Sequence, residues 1–465
     1  MALDYLAVKV GKIKKKAICI GFHFGQSRQC CISPHKRALD LDACLRSSGS
    51  SIAGIGRRCD DTVQRRVFCI LFCGKKVWAR HGLSDAIKPS FFIYCTMKNK
   101  IALHNGTIYS SYDIIQNHAL LIAEGKVVGT VPAAEIPEEF EAVDVEGDNI
   151  CPGLIDLQIY GAGGSLYSAD LTLESLIHIE ETLLAQGCTS FYLTLATNTL
   201  EVFREAIRVY KTAKPRNTLG LHLEGPFLNP KKRGAHPAEL ILKANITLLE
   251  DLLADAADTV GMLTVAPELL DDECLAYLRT KDILISAGHS DATFEEATAS
   301  FAKGIATVTH LWNAMSALHH REVGLPGAVF NHDKACASVI VDGIHVDFEA
   351  VKLAKKVMGD RLFLITDAVT DCNKDIYHHV LNDDHYVLPD GTLSGSAMTM
   401  LGSVRNCVEK VGLPLEEAIR MATVYPARLI ERKDLGHLGA GAKANILVFD
   451  KDFNVKKVYF EGEKV

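Results

Sequence analysis

Short apolar runs recur through the middle of the chain, with helix-patterned polar stretches between them. They read GLIDLQI (153–159), SFYLTLAT (190–197), LGLHLE (219–224) and GMLTVAPE (261–268), then ILISAGH (283–289), IATVTHL (305–311), ASVIVDG (337–343) and LFLITDA (362–368). Each is nearly continuous in apolar residues, which predicts strands buried on both faces. The intervening stretches, such as LESLIHIEETLLAQG and ATFEEATASFAKG, have helical spacing. The second has Asp291 as its predicted N-cap and Glu295 in its first turn. This alternation predicts a parallel sheet covered on both sides, and eight strands fit an α/β fold of the (β/α)8 TIM-barrel type. A doubly wound open sheet is the alternative. No G-x-G-x-x-G opens a helix, however, and GAGG at 161–164 follows a strand without that spacing and reads as a loop.

The pattern changes at both ends. IALHNGTIY, HALLIAEGKVVGTV and EAVDVEGDNI are short alternating strands with hairpin turns at Gly106 and Gly125. ANILVFDKDFNVKKVYFEGEKV does the same at the C-terminal end. The expected organisation is a barrel over 151–430 and a small β-sandwich built from 97–150 and 431–465.

Composition adds one break. The net charge of −7 gives no sign of nucleic-acid binding. No apolar run approaches the ~20 residues that span a bilayer. Residues 1–96 differ from the rest, with 17 Lys plus Arg, 6 Asp, no Glu and 8 of the 14 cysteines. That is a charge of about +11, leaving about −18 for the remainder. The cysteines lack the paired Cys-x2-Cys spacing of a zinc module; a basic, acid-poor targeting peptide is an alternative, but it would be long and its start, MALDYLAVKVGKIKKK, makes a poor signal sequence. The segment has no sustained period, whereas MKNKIALHNGTIY reads as a fresh start. Residues 1–96 are therefore read as an atypical basic, cysteine-rich extension, disordered or produced by a start codon placed too early. The remaining cysteines are scattered, as expected of thiols in a reducing cytoplasm.

Polar residues fall where the apolar runs stop: Asp156 and Gln158, Glu224, His289, His310, Asp342 and His345, and Asp367. In a barrel these are the C-terminal strand ends, where the chemistry of this fold sits. Six such ends, buried and unpaired, would cost more than the whole stability of a fold. Glu224, His289 and His310 offer two imidazoles and a carboxylate. That donor set suits a catalytic zinc-type ion with one position open for water, and iron or manganese fits it too. Structural histidines are the alternative. Asp367 lies outside the set and suits a general base that later acts as an acid. Together they suggest metal-activated water attacking a carbonyl. His222 shares a strand face with Glu224 and reads as a neighbour that orients or packs, with direct ligation as the alternative.

The runs CPGLIDLQIYGAGG, HLEGPFLNPKKRGAH, SAGHSDATFEEA, THLWNAMSALHHREVGLPG, DGIHVD, LITDA, GTLSGSAMTM and ATVYPARLI occur in that order. They resemble the N-acetylglucosamine-6-phosphate deacetylase family of the amidohydrolase superfamily, over about residues 100–465. The resemblance implies a barrel with a small β-sandwich, usually a dimer, that removes acetate from N-acetyl-D-glucosamine 6-phosphate. It implies Glu224, His289 and His310 as metal ligands, Asp367 as the catalytic aspartate and His236 beside the acetamide carbonyl. Gln158, His236, Asn313, Ala314, Arg321, His345, Ala397 and Met398 fall at substrate-binding positions. Arg321 resembles an arginine that reaches the phosphate, often from the partner subunit. Gln158 stands where many amidohydrolases carry a histidine of a His-x-His pair, so one divalent ion per subunit is implied, with zinc first. Tyr160 departs from the Asn or His often found there.

Three rivals use parts of the same pattern. Another amidohydrolase, acting on a cyclic amide or other N-acyl substrate, would share the metal logic. The absence of an evident His-x-His or bridging-lysine site argues against it. A metal-free sugar-phosphate isomerase and a non-catalytic sensor complete the set, and Asp367 argues against the sensor. YHHVLNDDHYVLPDG (377–391) mixes His with Asp, yet reads as an inserted β-hairpin without a metal.

Overall fold

The computed structural model describes residues 100–465, apart from 255, 257 and 375, and the backbone of two short strands further forward. Those strands, Phe68–Ile70 and Phe92–Tyr94, pair antiparallel. The other features expected of residues 1–96 lie outside the described residues.

Eight strands form one parallel sheet whose spatial order is the chain order. They are β1 (Leu154–Ile159), β2 (Cys188–Ala196), β3 (Thr218–Glu224) and β4 (Val260–Val265), then β5 (Leu284–Ala287), β6 (Thr307–Val308), β7 (Cys336–Val339) and β8 (Leu362–Leu364). The sheet closes where the chain beyond β8 meets the end of β1. There the Tyr160 N–H donates to the Ala368 carbonyl and the Asp367 N–H to the Gln158 carbonyl, both at 3.0 Å. This is the predicted (β/α)8 barrel. All six residues of β1 are buried: Ile155, Leu157 and Ile159 make one face wholly apolar, while Asp156 and Gln158 follow Leu154 on the other.

Helices cover the sheet from outside. The helix Leu173–Ala185 buries Leu176, Ile179, Leu183 and Leu184, and the Thr172 side chain caps it by accepting the Ser175 N–H. The helix Phe294–Ala302 corrects one expectation: its N-cap is Thr293, not Asp291. The Thr293 hydroxyl accepts the Glu296 N–H while the Glu296 carboxylate accepts the Thr293 N–H. This reciprocal pair satisfies two donors where a lone aspartate would satisfy one. Asp291 instead pairs with Lys231 and Lys232.

The barrel interior is partly polar. His222 Nε2 lies 2.7 Å from the Thr264 hydroxyl, which touches the Thr309 hydroxyl at 2.8 Å, and Thr309 touches Ser286 at 2.6 Å. Every member is buried, so the chain of hydroxyls serves the interior donors and acceptors that water cannot reach.

Both ends of the described chain contribute to a β-sandwich. Thr107–Ser110, Asp113–Ile115 and Asn149–Pro152 share a six-stranded sheet with Ile446–Phe449, Val455–Phe460 and Glu463–Lys464. A four-stranded sheet of Ile101–His104, His118–Ala123, Lys126–Pro132 and Glu141–Asp144 faces it. Leu103, Leu120 and Ile122 from one sheet pack with Ile108, Ile150 and Ile446 from the other. A further antiparallel sheet follows Asp367, made of Val380–Asn382, His385–Val387 and Leu393–Ser396. The expected hairpin thus has a third strand, which returns to bridge Ala368 through Ser396. Among the described residues no helix is long and apolar enough to cross a membrane.

Candidate active site

Glu224 ends β3, His289 and His310 lie just past β5 and β6, and Asp367 lies just past β8. His289, His310 and Asp367 have φ values of 48°, 35° and 54°. Such left-handed backbone costs a non-glycine residue ~1–3 kcal/mol and persists where the surroundings enforce it, commonly at functional sites. Three strained turns therefore coincide with three of the four side chains that meet at the barrel mouth.

Glu224 Oε1 lies 3.2 Å from His289 Nε2 and 3.0 Å from His310 Nε2, and the two nitrogens are 3.1 Å apart. Donor atoms on one face of a tetrahedral site, each about 2.0–2.1 Å from a zinc-sized ion, stand about 3.3 Å apart. The triangle fits a single small divalent cation. The tautomer of His289 agrees with it. His289 Nδ1 lies 2.9 Å from the Lys232 carbonyl, so Nδ1 carries the hydrogen and Nε2 presents its lone pair. His236 is the reverse. Its Nδ1 accepts the Thr197 backbone N–H at 3.2 Å, so Nε2 bears the hydrogen, 3.2 Å from Glu224 Oε2. Glu224, His236 and His289 also lie close enough together to share an ion. An N–H that points inward makes His236 a donor, which leaves Glu224, His289 and His310 as the candidate ligand set; His310 Nδ1 has no partner, and its Nε2 offers a lone pair only once that nitrogen is without hydrogen.

Burial opposes charge throughout the site, and the neighbours decide the outcome. His289 is pushed down to about 4 by burial, with His236 adding to the effect and Glu224 opposing it. On His310 burial is outweighed by the Glu224 carboxylate, which raises it. Glu224 is buried too, yet His289, His236 and His310 hold it well below the usual carboxylate range. Asp367 goes up, because burial and the charge of Glu224 together outweigh His310. Glu224 is thus the fixed anion and Asp367 the carboxylate able to exchange a proton.

Beneath this layer Gln158 Nε2 lies 2.7 Å from Asp367 Oδ1, 2.9 Å from the Tyr160 hydroxyl and 3.0 Å from Glu224 Oε1. The Tyr160 hydroxyl in turn bonds Glu224 Oε2. Beside the donor triangle is a cavity of ≈ 170 Å³ lined by Tyr160, His236, Asn313, Ala314, His345 and Asp367 together with residues of the inserted sheet. The Asn313 amide nitrogen is buried without a hydrogen-bond partner.

The amidohydrolase family model matches residues 149–465, and a model of the NagA composite domain matches residues 101–150. The chain belongs to the amidohydrolase family. It is 35% identical over 381 residues to the N-acetylglucosamine-6-phosphate deacetylase of Haemophilus influenzae, covering 78% of this chain and 99% of that protein. It is 30% identical over 366 residues to an N-acetylgalactosamine-6-phosphate deacetylase of Escherichia coli O157:H7, covering 75% and 95%. The crystal structure of the N-acetylglucosamine-6-phosphate deacetylase of Pasteurella multocida gives a TM-score of 0.75 at 35% identity, covering 79% of this chain and 99% of that one. A point mutant of the Mycobacterium smegmatis N-acetyl-D-glucosamine-6-phosphate deacetylase, in complex with N-acetyl-D-glucosamine-6-phosphate, gives 0.74 at 28% identity, covering 79% and 99%.

In this amidohydrolase the residues singled out from sequence divide into two groups. Glu224, His236, His289, His310 and Asp367 meet at one point, with Asn313, Ala314 and His345 on the cavity wall. His345 Nδ1 is held by Asp342 at 2.6 Å. Gln158 is buried, does not line the cavity, and bonds Asp367, Tyr160 and Glu224. Arg321 stands on an exposed turn where His319 and Glu322 bridge, and it is not among the lining residues. Ala397 is exposed and Met398 half-buried, and neither lines the cavity. His222 faces the hydroxyls of Thr264 and Thr194, not the donor triangle, and burial lowers it to about 4. Sequence reasoning passed over Tyr377, His379 and Ser394, which form a cavity wall. Tyr377 donates its hydroxyl hydrogen to the Thr197 carbonyl at 2.6 Å and pins the insertion beside His236. The available signal was the Tyr-His-His run at 377–379, ten residues after Asp367.

Proposed function

We propose that this amidohydrolase converts N-acetyl-D-glucosamine 6-phosphate and water to D-glucosamine 6-phosphate and acetate, with one divalent ion held by Glu224, His289 and His310. Zinc is the first candidate for that ion, ahead of iron and manganese. The observation that carries the proposal is the triangle of donor atoms 3.0–3.2 Å apart, flanked by the Asp367 carboxylate outside it and an inward N–H on His236. When bound, the ion supplies Lewis acidity, acidifying a water and polarising the acetamide carbonyl.

The chain's own residues do the rest. Asp367 takes a proton from the attacking water and returns it to the departing amine. Its raised affinity for protons suits a group that must hold one between two steps. The 2.7 Å bond from Gln158 keeps its carboxylate aimed at the site. His236 donates its Nε2 hydrogen to the acetamide oxygen as negative charge develops there, and the Thr197 amide fixes the ring for that task. Asn313, Ala314 and His345 hold the sugar, with Gln158 beneath and Ala397 and Met398 at the edge. The phosphate is held by Arg321 from the partner subunit of a homodimer, which places binding energy far from the bond broken. The enzyme works in the cytoplasm, where the free cysteines remain thiols.

Acetate release from the sugar phosphate, compared with ring opening of a dihydropyrimidine, tests the proposal. Turnover is expected on the first substrate only. Turnover confined to the cyclic amide would replace the proposal with cyclic-amide hydrolysis.

A further inference from the structure

The geometry points to Tyr160 as the positioning residue that selects which oxygen of Glu224 faces the metal ion. This rests on the single-ion site proposed above.

A count of hydrogens decides the direction of each bond. Gln158 Nε2 has two hydrogens and three acceptors within reach, namely Asp367 Oδ1 at 2.7 Å, the Tyr160 oxygen at 2.9 Å and Glu224 Oε1 at 3.0 Å. Reversing the amide would set its carbonyl against two carboxylates, so the nitrogen faces them. Tyr160 has a single hydroxyl hydrogen. With Gln158 donating to its oxygen, that hydrogen goes to Glu224 Oε2. Glu224 is thereby divided: Oε2 faces the Tyr160 O–H and the His236 N–H, while Oε1 faces the two histidine nitrogens.

The same count shows why Tyr160 matters during turnover. Once Oε1 is engaged by an ion, Gln158 spends its two hydrogens on Asp367 and Tyr160. Once His236 turns its hydrogen to a substrate oxygen, the Tyr160 hydroxyl is the remaining donor at Oε2 among the bonds described. Its ring is locked for the purpose, packed with Leu166, Val369 and Tyr386. Tyr386 belongs to the inserted sheet, so the insertion supports the metal site through Tyr160 as well as walling the cavity. Supporting partners of this kind typically change metal affinity by ~10–100-fold.

The test is Tyr160→Phe in the full chain, which keeps the ring and removes the hydroxyl. Zinc affinity is measured by competition with a chromophoric chelator, and melting temperature with and without zinc. We expect zinc to bind at least about 10-fold more weakly, with the metal-free melting temperature unchanged and the zinc-induced rise reduced. Unchanged zinc affinity overturns the inference. So does a lower metal-free melting temperature with unchanged affinity, which would make Tyr160 a packing residue only. A wild-type protein that binds no zinc fails earlier, at the donor triangle itself, and removes the ground for both proposals.

Discussion

The Thr197 backbone N–H stands 3.2 Å from His236 Nδ1, and this bond decides which nitrogen of His236 carries hydrogen. It turns what would be a third histidine ligand into an inward-facing donor. His236→Ala is therefore expected to lose about 10²–10³-fold in kcat, the usual effect of removing an oxyanion donor. Bound zinc, read by elemental analysis, should stay at the wild-type ratio. A fall in metal content in step with activity would make His236 a ligand instead.

Asp367 touches Gln158 and lies outside the donor triangle. Asp367→Asn is expected to keep metal and substrate binding and to lose turnover by about 10³-fold or more. Calorimetric titration with the sugar phosphate and a steady-state assay read the two separately. Near-normal turnover in this variant would overturn the base assignment.

Metal uptake should depend on pH through one histidine. Glu224 is held well below the usual carboxylate range and is already ionised, and His289, pushed down to about 4, is already neutral near pH 6. His310 is raised, chiefly by Glu224 acting against burial, and must lose its proton to become a ligand. Below the raised His310 value, zinc binding to metal-free protein should expel about one proton per ion. Affinity should climb with pH through that value and then level. Calorimetry at pH 6 in buffers of different ionisation enthalpy counts the protons, and a count near zero or near two would contradict the assignment.

Glu180 is 5% exposed, and its Oε1 accepts the backbone N–H groups of Arg216, Asn217 and Thr218 at 2.8, 2.9 and 3.1 Å and the Thr218 hydroxyl at 3.1 Å. It ties the helix Leu173–Ala185 to the entry of β3, the strand that carries Glu224. Glu180→Ala leaves these donors unpaired and is expected to cost about 3 kcal/mol in urea unfolding. A loss under about 1 kcal/mol would show that the clamp is replaceable.

The barrel strands are legible because both of their faces are buried, so each reads as an apolar run. The site is legible at Glu224, His289, His310 and Asp367 because a charge or imidazole at the end of such a run demands a partner. Less local features were harder. Asp291 and Thr293 are both good cap types, and only the reciprocal bond with Glu296 separates them. The tautomer of His236 depends on an amide 39 residues away in the chain. The division of Glu224 between Tyr160 and the histidines depends on strands that meet only when the barrel closes. Arg321 lies on an exposed turn, and the role proposed for it at the phosphate calls on a second subunit that the pattern of one chain does not describe.

The most direct test is acetate release from N-acetyl-D-glucosamine 6-phosphate by protein stripped of metal and titrated with zinc. Activity should be absent in the stripped protein, rise linearly with added zinc and break at one ion per chain. Equal turnover without metal, or a fully loaded enzyme that releases no acetate, would contradict both the site and its chemistry.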